Sequence, residues 1–301
     1  MRIPVIAADS DQGPRADQED AYSHQVAHAS GGWRASLADG FGEHPRTRAA
    51  AEFAAITATE ADGDALDAVL AATRALSRAH PGADCVMVHA RQDAPEDPID
   101  IAWVGDCRLW TWAPGEGLRQ HTRDHTHGQR LRERWVADAF ARVGDHALTT
   151  SMATAVVDDI GTATAPASEL VLFTTDGVHD YVDERLLAEL VAEHADAPEI
   201  LAHVLLEASR EAESHDNATA MVIRLPRPES PYPSRQELLL DGLESACGFD
   251  EDQPALRRLA EDRAVGIACD RFLLRDGATY WCTKDSDHTD HHVSWHGVTW
   301  L

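Results

Sequence analysis

Strand-like runs dominate this chain, and its helix-like stretches come in adjacent pairs instead of alternating with the strands. Runs of strand character cover residues 3–9, 20–28, 33–38, 84–91, 99–105, 108–112, 153–157 and 169–175, and "NATAMVIRL" from 217 closes the series. Ala- and Glu-rich stretches at 46–60 and 64–79, and again at 183–194 and 198–213, carry helical patterning, as does a charged stretch near 127–143. Strict strand–helix alternation builds a parallel sheet with crossover helices. The order seen here predicts a layered α+β fold. At 301 residues and 44% hydrophobic content, the chain has apolar surface for one large or two ordinary domains.

Fifty-two acidic residues against 26 basic ones give a net charge of −26, which argues against non-specific binding to nucleic acid or to an anionic membrane. The opening "MRIPVIAADSD" holds too short an apolar stretch for a secretory leader, and no run approaches the ~18 apolar residues of a membrane span. Five cysteines, at 85, 107, 247, 269 and 282, are odd in number and sparse. They predict reduced thiols in a cytoplasmic protein without structural disulfides.

Most surplus carboxylates solvate a surface, so only their placement singles any out. Asp-Gly is a common hairpin signal and occurs at 39, 62, 176, 241 and 276, so most copies read as turns. Several acidic residues nonetheless sit where apolar strands end or begin. "QGPRADQEDAY" puts Arg15 four residues ahead of Glu19-Asp20, just before a strand. "LADGFGEH" ends a strand at Asp39, "WVGDCRLW" holds Asp106 in a turn between two strands, "LFTTDGVHDYV" ends a strand at Asp176, and "SHDNATAMV" opens the last strand beside Asp216. Such carboxylates can converge at one end of a sheet, and hard oxygen ligands suit Mg²⁺ or Mn²⁺.

The series "QG-x-R-x-x-x-EDA", "ADG-x-G-x-H", "VGD-x-R", "T-x-DH", "TDG-x-x-D", "DN-x-T", running in that order over residues 5–225, resembles the PPM or PP2C family of metal-dependent protein serine/threonine phosphatases of bacterial type. The resemblance implies a four-layer α/β/β/α sandwich and hydrolysis of phosphomonoesters by a metal-activated water. It implies that Asp39 bridges two metals while Gly40 lends a carbonyl, that Glu19 and Asp20 form the acidic pair with Glu19 on the ligand side, and that Asp176 and Asp216 hold the other metal. Asp106 matches the residue for a third, weaker metal. Arg15 stands at the phosphate-binding arginine, whose planar fork can grip two phosphoryl oxygens. His44 matches the histidine of the bacterial motif and is the candidate proton donor, the eukaryotic donor's position being Phe41. Implied partners are phosphoserine and phosphothreonine proteins and a cognate Ser/Thr kinase, with no nucleic acid or membrane.

The chain departs from the family pattern in places. Cys107 replaces the serine of "GDSR", "GAD" at 82–84 replaces Gly-Thr-Thr, and the flap has only a short arginine-rich counterpart at 128–150 without its usual "HP-x-R-N". Two other readings compete: a catalytically weak phosphatase-like binding protein, against which the full set Glu19, Asp39, Asp176 and Asp216 speaks, and a phosphatase of small phosphoesters. Domain boundaries are expected at 1–225 for the phosphatase-like domain, 226–236 for a Pro-rich linker and 237–301 for a small α+β extension. That extension is expected to hold helices at 234–246 and 253–263 and then short strands. Its Cys269, Cys282, His288, His291, His292 and His296 match no standard zinc spacing.

Overall fold

Period-two alternation sorts the side chains of each strand onto two faces, and that sorting sets the layers. A computed structural model describes residues 3–42 and 44–225, together with short strands between 272 and 300. One sheet has the order β1-β10-β9-β6-β7, from Val5–Asp11 (β1), Arg108–Ala113 (β6), Gly117–Gln120 (β7), Leu170–Thr174 (β9) and Ala218–Arg224 (β10). The other has the order β2-β3-β4-β5-β8, from Ala21–Ala27 (β2), Gly32–Phe41 (β3), Asp84–Gln92 (β4), Ile99–Val104 (β5) and Gly161–Ala165 (β8). All these pairings are antiparallel.

Alternate residues of both sheets face each other. Trp33, Leu37, Val88, Ile101, Phe173, Met221 and Ile223 form one buried cluster, with the Trp33 and Phe173 rings edge-on at 6.5 Å. The residues between them point outward to helices. Ala38, Met87 and Val104 pack under α1 (Thr47–Glu60) and α2 (Ala65–Ala79), whose buried faces are alanine-rich and so approach the sheet closely. Leu170, Leu172, Ala220 and Val222 pack under α6 (Glu184–His194) and α7 (Pro198–Glu211). The result is the expected α/β/β/α layering. Helix starts follow local chemistry: the Asp64 and Asp183 side chains accept from the Asp67 and Leu186 N–H groups, and Pro198 opens α7.

Two expectations fail locally. The strand anticipated at 153–157 does not form; those valines are exposed, Val157–Asp159 makes a 3₁₀ turn, and β8 begins at Gly161. Glycine is required there because a Cβ would fall 2.3 Å from the Trp103 ring. The charged stretch near 127–143 is not one helix but α3 (His127–Glu133), α4 (Asp138–Ala141) and a 3₁₀ turn at Arg142–Gly144, broken at Trp135 with φ 61°. A short helix, α5 (Asp176–His179), follows β9.

Chain contacts divide the molecule into Met1–Arg227 and Pro228–Leu301. In the second unit, β11 (Phe272–Arg275) pairs with β12 (Ala278–Trp281) and β13 (His292–Val293) with β14 (Thr299–Trp300), all antiparallel. The expected linker and the helices at 234–246 and 253–263 lie outside the described residues, as do Cys247, Cys269 and Cys282.

Candidate functional site

Register alone brings the acidic junctions to one end of the sandwich. In the first sheet Asp11 pairs with Ala218, Ala220 with Thr174 and Thr174 with Arg108, so the end of β1, the start of β10, the end of β9 and the start of β6 lie in a row. In the second, Ala21 pairs with Ala38, Asp39 with Val86 and Met87 with Val104. The 12–20 loop and the Gly105-Asp106 turn cross from one sheet to the other at this same end. Gly105 has φ 95°, and a Cβ there would lie 2.1 Å from Val86, so only glycine makes the turn that carries Asp106.

The junctions are tied to one another by side chains. Gly40 donates its N–H to the Glu19 carbonyl at 3.2 Å, and a Cβ on Gly40 would come within 2.9 Å of that oxygen. Buried Asn217 accepts from the Glu19 N–H at 2.8 Å and donates to the Gln12 and Asp17 carbonyls, fixing the 12–20 loop against the start of β10. Asp20 Oδ2 accepts from Thr219 at 2.7 Å and Thr175 at 3.0 Å. Behind Asp106, Arg108 makes a forked pair with Asp124, and His125 grips Gly105 through a backbone bond and through Nδ1. The "VGD-x-R" and "T-x-DH" motifs are therefore two halves of one support.

Carboxylates crowded in low dielectric resist ionisation. Burial, then the charges of Asp20, Asp176, Asp106 and Asp216, hold Asp39 well above the usual carboxylate range. Asp20 is pushed up to about 7, chiefly by burial, with Thr219 and Thr175 opposing and Asp176 and Asp216 adding repulsion. Asp176 rises to about 6 through burial and then the Asp216 and Asp180 charges, with a hydrogen bond to Asp39 opposing. Asp106 rises through burial, then Asp176, Asp124 and Asp180. Glu19 rises through burial, against which the Arg15 charge works. Oδ1 of Asp20 and Oδ1 of Asp176 are buried and, among the described residues, lack a hydrogen-bond partner. Unpaired hard oxygens in a repelling cluster are the donor set a divalent cation satisfies.

Arg15 lies at the rim, its guanidinium half exposed, 2.5 Å from Asp216 Oδ2 and 3.2 Å from the His215 carbonyl. His44 sits before α1, where its Nδ1 accepts from the Arg46 N–H and its ring lies 3.7 Å from where a Cβ on Gly82 would be. Its described contacts are with this loop and with Thr47, not with the carboxylates. Cys107 is buried among the apolar residues between the sheets, and burial followed by the Asp39 and Asp106 charges pushes its thiol up, so it stays protonated.

Sequence reasoning did not single out Asn217, Thr175, Thr219 or Asp180, although each lies within or beside a quoted motif. It also passed over His146, which reaches Asp180 at 3.5 Å; one ligand atom each from His146, Asp176 and Asp180 fall within 4.8 Å of one another.

No protein-family model matches the chain, and no curated protein matches it by sequence. Solved structures do match. The serine/threonine phosphatase Stp1 from Staphylococcus aureus is 20% identical with a TM-score of 0.66, over 75% of this chain and 96% of that one. The Mycobacterium tuberculosis phosphatase PstP/Ppp is 24% identical with a TM-score of 0.62, over 75% and 100%. The catalytic domain of PstP in complex with two manganese ions is 24% identical with a TM-score of 0.59, over 74% and 98%. At these identities the likeness is one of architecture: the chain has the fold of the bacterial PPM/PP2C serine/threonine phosphatases.

Proposed function

We propose that this protein is a metal-dependent phosphatase of phosphoserine and phosphothreonine proteins. The observation that carries the reading is the cluster of Glu19, Asp20, Asp39, Asp106, Asp176 and Asp216, in which Oδ1 of Asp20 and Oδ1 of Asp176 are buried without a hydrogen-bond partner among the described residues. Asp39, with the Gly40 carbonyl, Glu19, Asp176 and Asp216 would hold two Mn²⁺ or Mg²⁺ ions, and Asp106 with Asp176 a third. Bound there, such cations lower the pKa of a water and neutralise charge on a transferring phosphoryl group. Asp20, held through Oδ2 by Thr175 and Thr219, would add its free Oδ1 and its charge to the same donor set. Arg15, paired here with Asp216, would turn its guanidinium to the phosphoryl oxygens of a bound substrate. His44 would need to leave its bond with the Arg46 N–H to protonate the leaving oxygen. A protein kinase supplying the phosphoprotein is the partner this reaction class requires.

The test is hydrolysis of p-nitrophenyl phosphate and a phosphothreonine peptide with Mn²⁺, with and without EDTA. Turnover of both that EDTA abolishes is expected. Absence of turnover with either cation, or full activity in EDTA, overturns the reading.

A further inference from the structure

The two carboxylate oxygens of Asp20 stand in opposite conditions. Oδ2 accepts from Thr219 Oγ1 at 2.7 Å and from Thr175 Oγ1 at 3.0 Å, whereas Oδ1 is buried and has no hydrogen-bond partner among the described residues. The torsion that swings an aspartate carboxylate is soft, so this division lasts only if the two donors are themselves fixed.

Both are. Thr175 Oγ1 accepts from the Thr219 N–H at 3.0 Å and the Thr175 N–H donates to the Thr219 carbonyl at 3.1 Å, which anchors Thr175 to β10. Thr219 Oγ1 is anchored from the other side, by a chain that runs back to Asp20. Ser10 Oγ lies 2.8 Å from Thr219 Oγ1, Gln18 Nε2 donates to Ser10 Oγ at 2.7 Å, and the Asp20 N–H donates to Gln18 Oε1 at 2.8 Å. Gln18, Ser10, Thr219 and Asp20 therefore close a ring. Register brings them together: Ser10 of β1 stands opposite Thr219 of β10, and Asn217 holds the chain on either side of Gln18, through the Asp17 carbonyl and the Glu19 N–H.

Counting protons gives the ring one direction. A hydroxyl has a single hydrogen, and Thr219 directs its own to Asp20, so the Ser10 hydroxyl donates to Thr219. Every donor then points the same way round, from the Asp20 N–H through Gln18, Ser10 and Thr219 to Asp20 Oδ2, and hydrogen bonds in such a series strengthen one another. Ser10 is exposed and Gln18 half-buried, so neither needs an internal partner to escape a desolvation cost. What the ring does fix is which oxygen of Asp20 is left over.

Resting on the metal-dependent reading above, we infer that Gln18 and Ser10 are positioning residues for the metal centre: acting through Thr219, they commit Oδ2 of Asp20 to the protein and leave Oδ1 for a divalent cation. Opening the ring lets the carboxylate turn, and the cation then meets a donor that it must first orient.

The test is Mn²⁺ binding to the full chain by titration calorimetry, with the electron paramagnetic resonance signal of free Mn²⁺ as a second measure. Ser10→Ala is expected to weaken binding about tenfold, and Gln18→Ala, which opens two links, by more. Ser10→Thr keeps the hydroxyl and should bind within about twofold of wild type. Because Ser10 acts through Thr219, Ser10→Ala should add less than about twofold to the loss caused by Thr219→Val. A ring that merely supports the fold would lower thermal midpoints and leave Mn²⁺ affinity unchanged, and that result overturns the inference. So does an equal loss in Ser10→Ala and Ser10→Thr, or a Ser10→Ala loss that persists in full beside Thr219→Val. If the wild type binds no Mn²⁺, the metal reading and this inference fall together. If it binds and the variants match it, the inference alone falls.

Discussion

Between the sheets, Trp33, Leu37, Val88, Ile101 and Phe173 are buried among apolar neighbours, while further along the same strands and turns Asp39, Asp106 and Asp176 crowd like charges into partly buried space. The middle stabilises the fold, each large side chain contributing roughly 1.5–3 kcal/mol by burial. The end works against the metal-free fold, since unpaired carboxylates resist both desolvation and each other. One pair of sheets therefore serves two purposes that should be separable by mutation.

The largest expected effect lies at the end. Asp39→Asn removes a charged donor with almost no change of shape, so turnover of p-nitrophenyl phosphate with Mn²⁺ should fall by about a thousandfold or more. The same change removes one repelling carboxylate, so the metal-free protein should melt at the same or a higher temperature at neutral pH. Lost stability together with retained turnover would erase the distinction between the regions. Phe173→Ala should do the opposite, lowering stability in urea by about 3–5 kcal/mol while the folded fraction keeps its metal response.

Acidity sharpens the comparison. Ionising Asp20, Asp39, Asp106 and Asp176 is harder in the metal-free fold than in the unfolded chain, so their contribution to stability is whole below the unfolded aspartate pKa of roughly 4. It is lost as pH rises through the folded values, about 6 for Asp176 and about 7 for Asp20. EDTA-treated protein should therefore lose thermal stability between pH 4 and 7, and Mn²⁺ at pH 7 should restore it. Metal-free stability that climbs over that window would show that the carboxylates are not mutually unfavourable.

The layers were legible in the sequence because β3, β4, β5, β9 and β10 are short, near-continuously buried runs, as strands covered on both faces must be, and the paired helices are alanine-rich or amphipathic. The carboxylates were legible because each stands beside a strand end, so local order implied a shared edge. Register and long-range partners were not. Asn217 acts on a loop about 200 residues earlier, and Thr219 reaches Asp20 across a similar separation, which no local pattern encodes. The strand expected at 153–157 failed because β-branched composition cannot choose between that stretch and Gly161–Ala165; pairing with β5 does.

Arg15 joins the two regions' logic at the rim, and its effect should be intermediate. Arg15→Ala should lower kcat/KM for phosphoryl substrates by about 10- to 150-fold, equivalent to roughly 1.5–3 kcal/mol for a charge-assisted contact, with Mn²⁺ affinity kept. Wild-type kinetics in that variant would remove the arginine from phosphate binding and leave it a partner of Asp216 and the His215 carbonyl.

The smallest effect should come from the boundary itself, at Cys107, which lies next to Asp106 in sequence yet is buried in the apolar layer between the sheets. Its thiol is protonated and packs as a small hydrophobe, so its chemistry belongs to the middle and not to the end. Cys107→Ser keeps the size of the side chain and brings back the serine of the family motif, but sets a hydroxyl where a weakly polar sulfur packed. A loss of about 1 kcal/mol in urea stability is expected, the low end of the range for a buried hydroxyl, with turnover within about twofold of wild type. Peroxide treatment should inactivate wild type and variant at the same rate, because a buried neutral thiol is a poor target. Protection of the variant alone would place the sulfur at the acidic end after all, in reach of the solvent that the carboxylates meet.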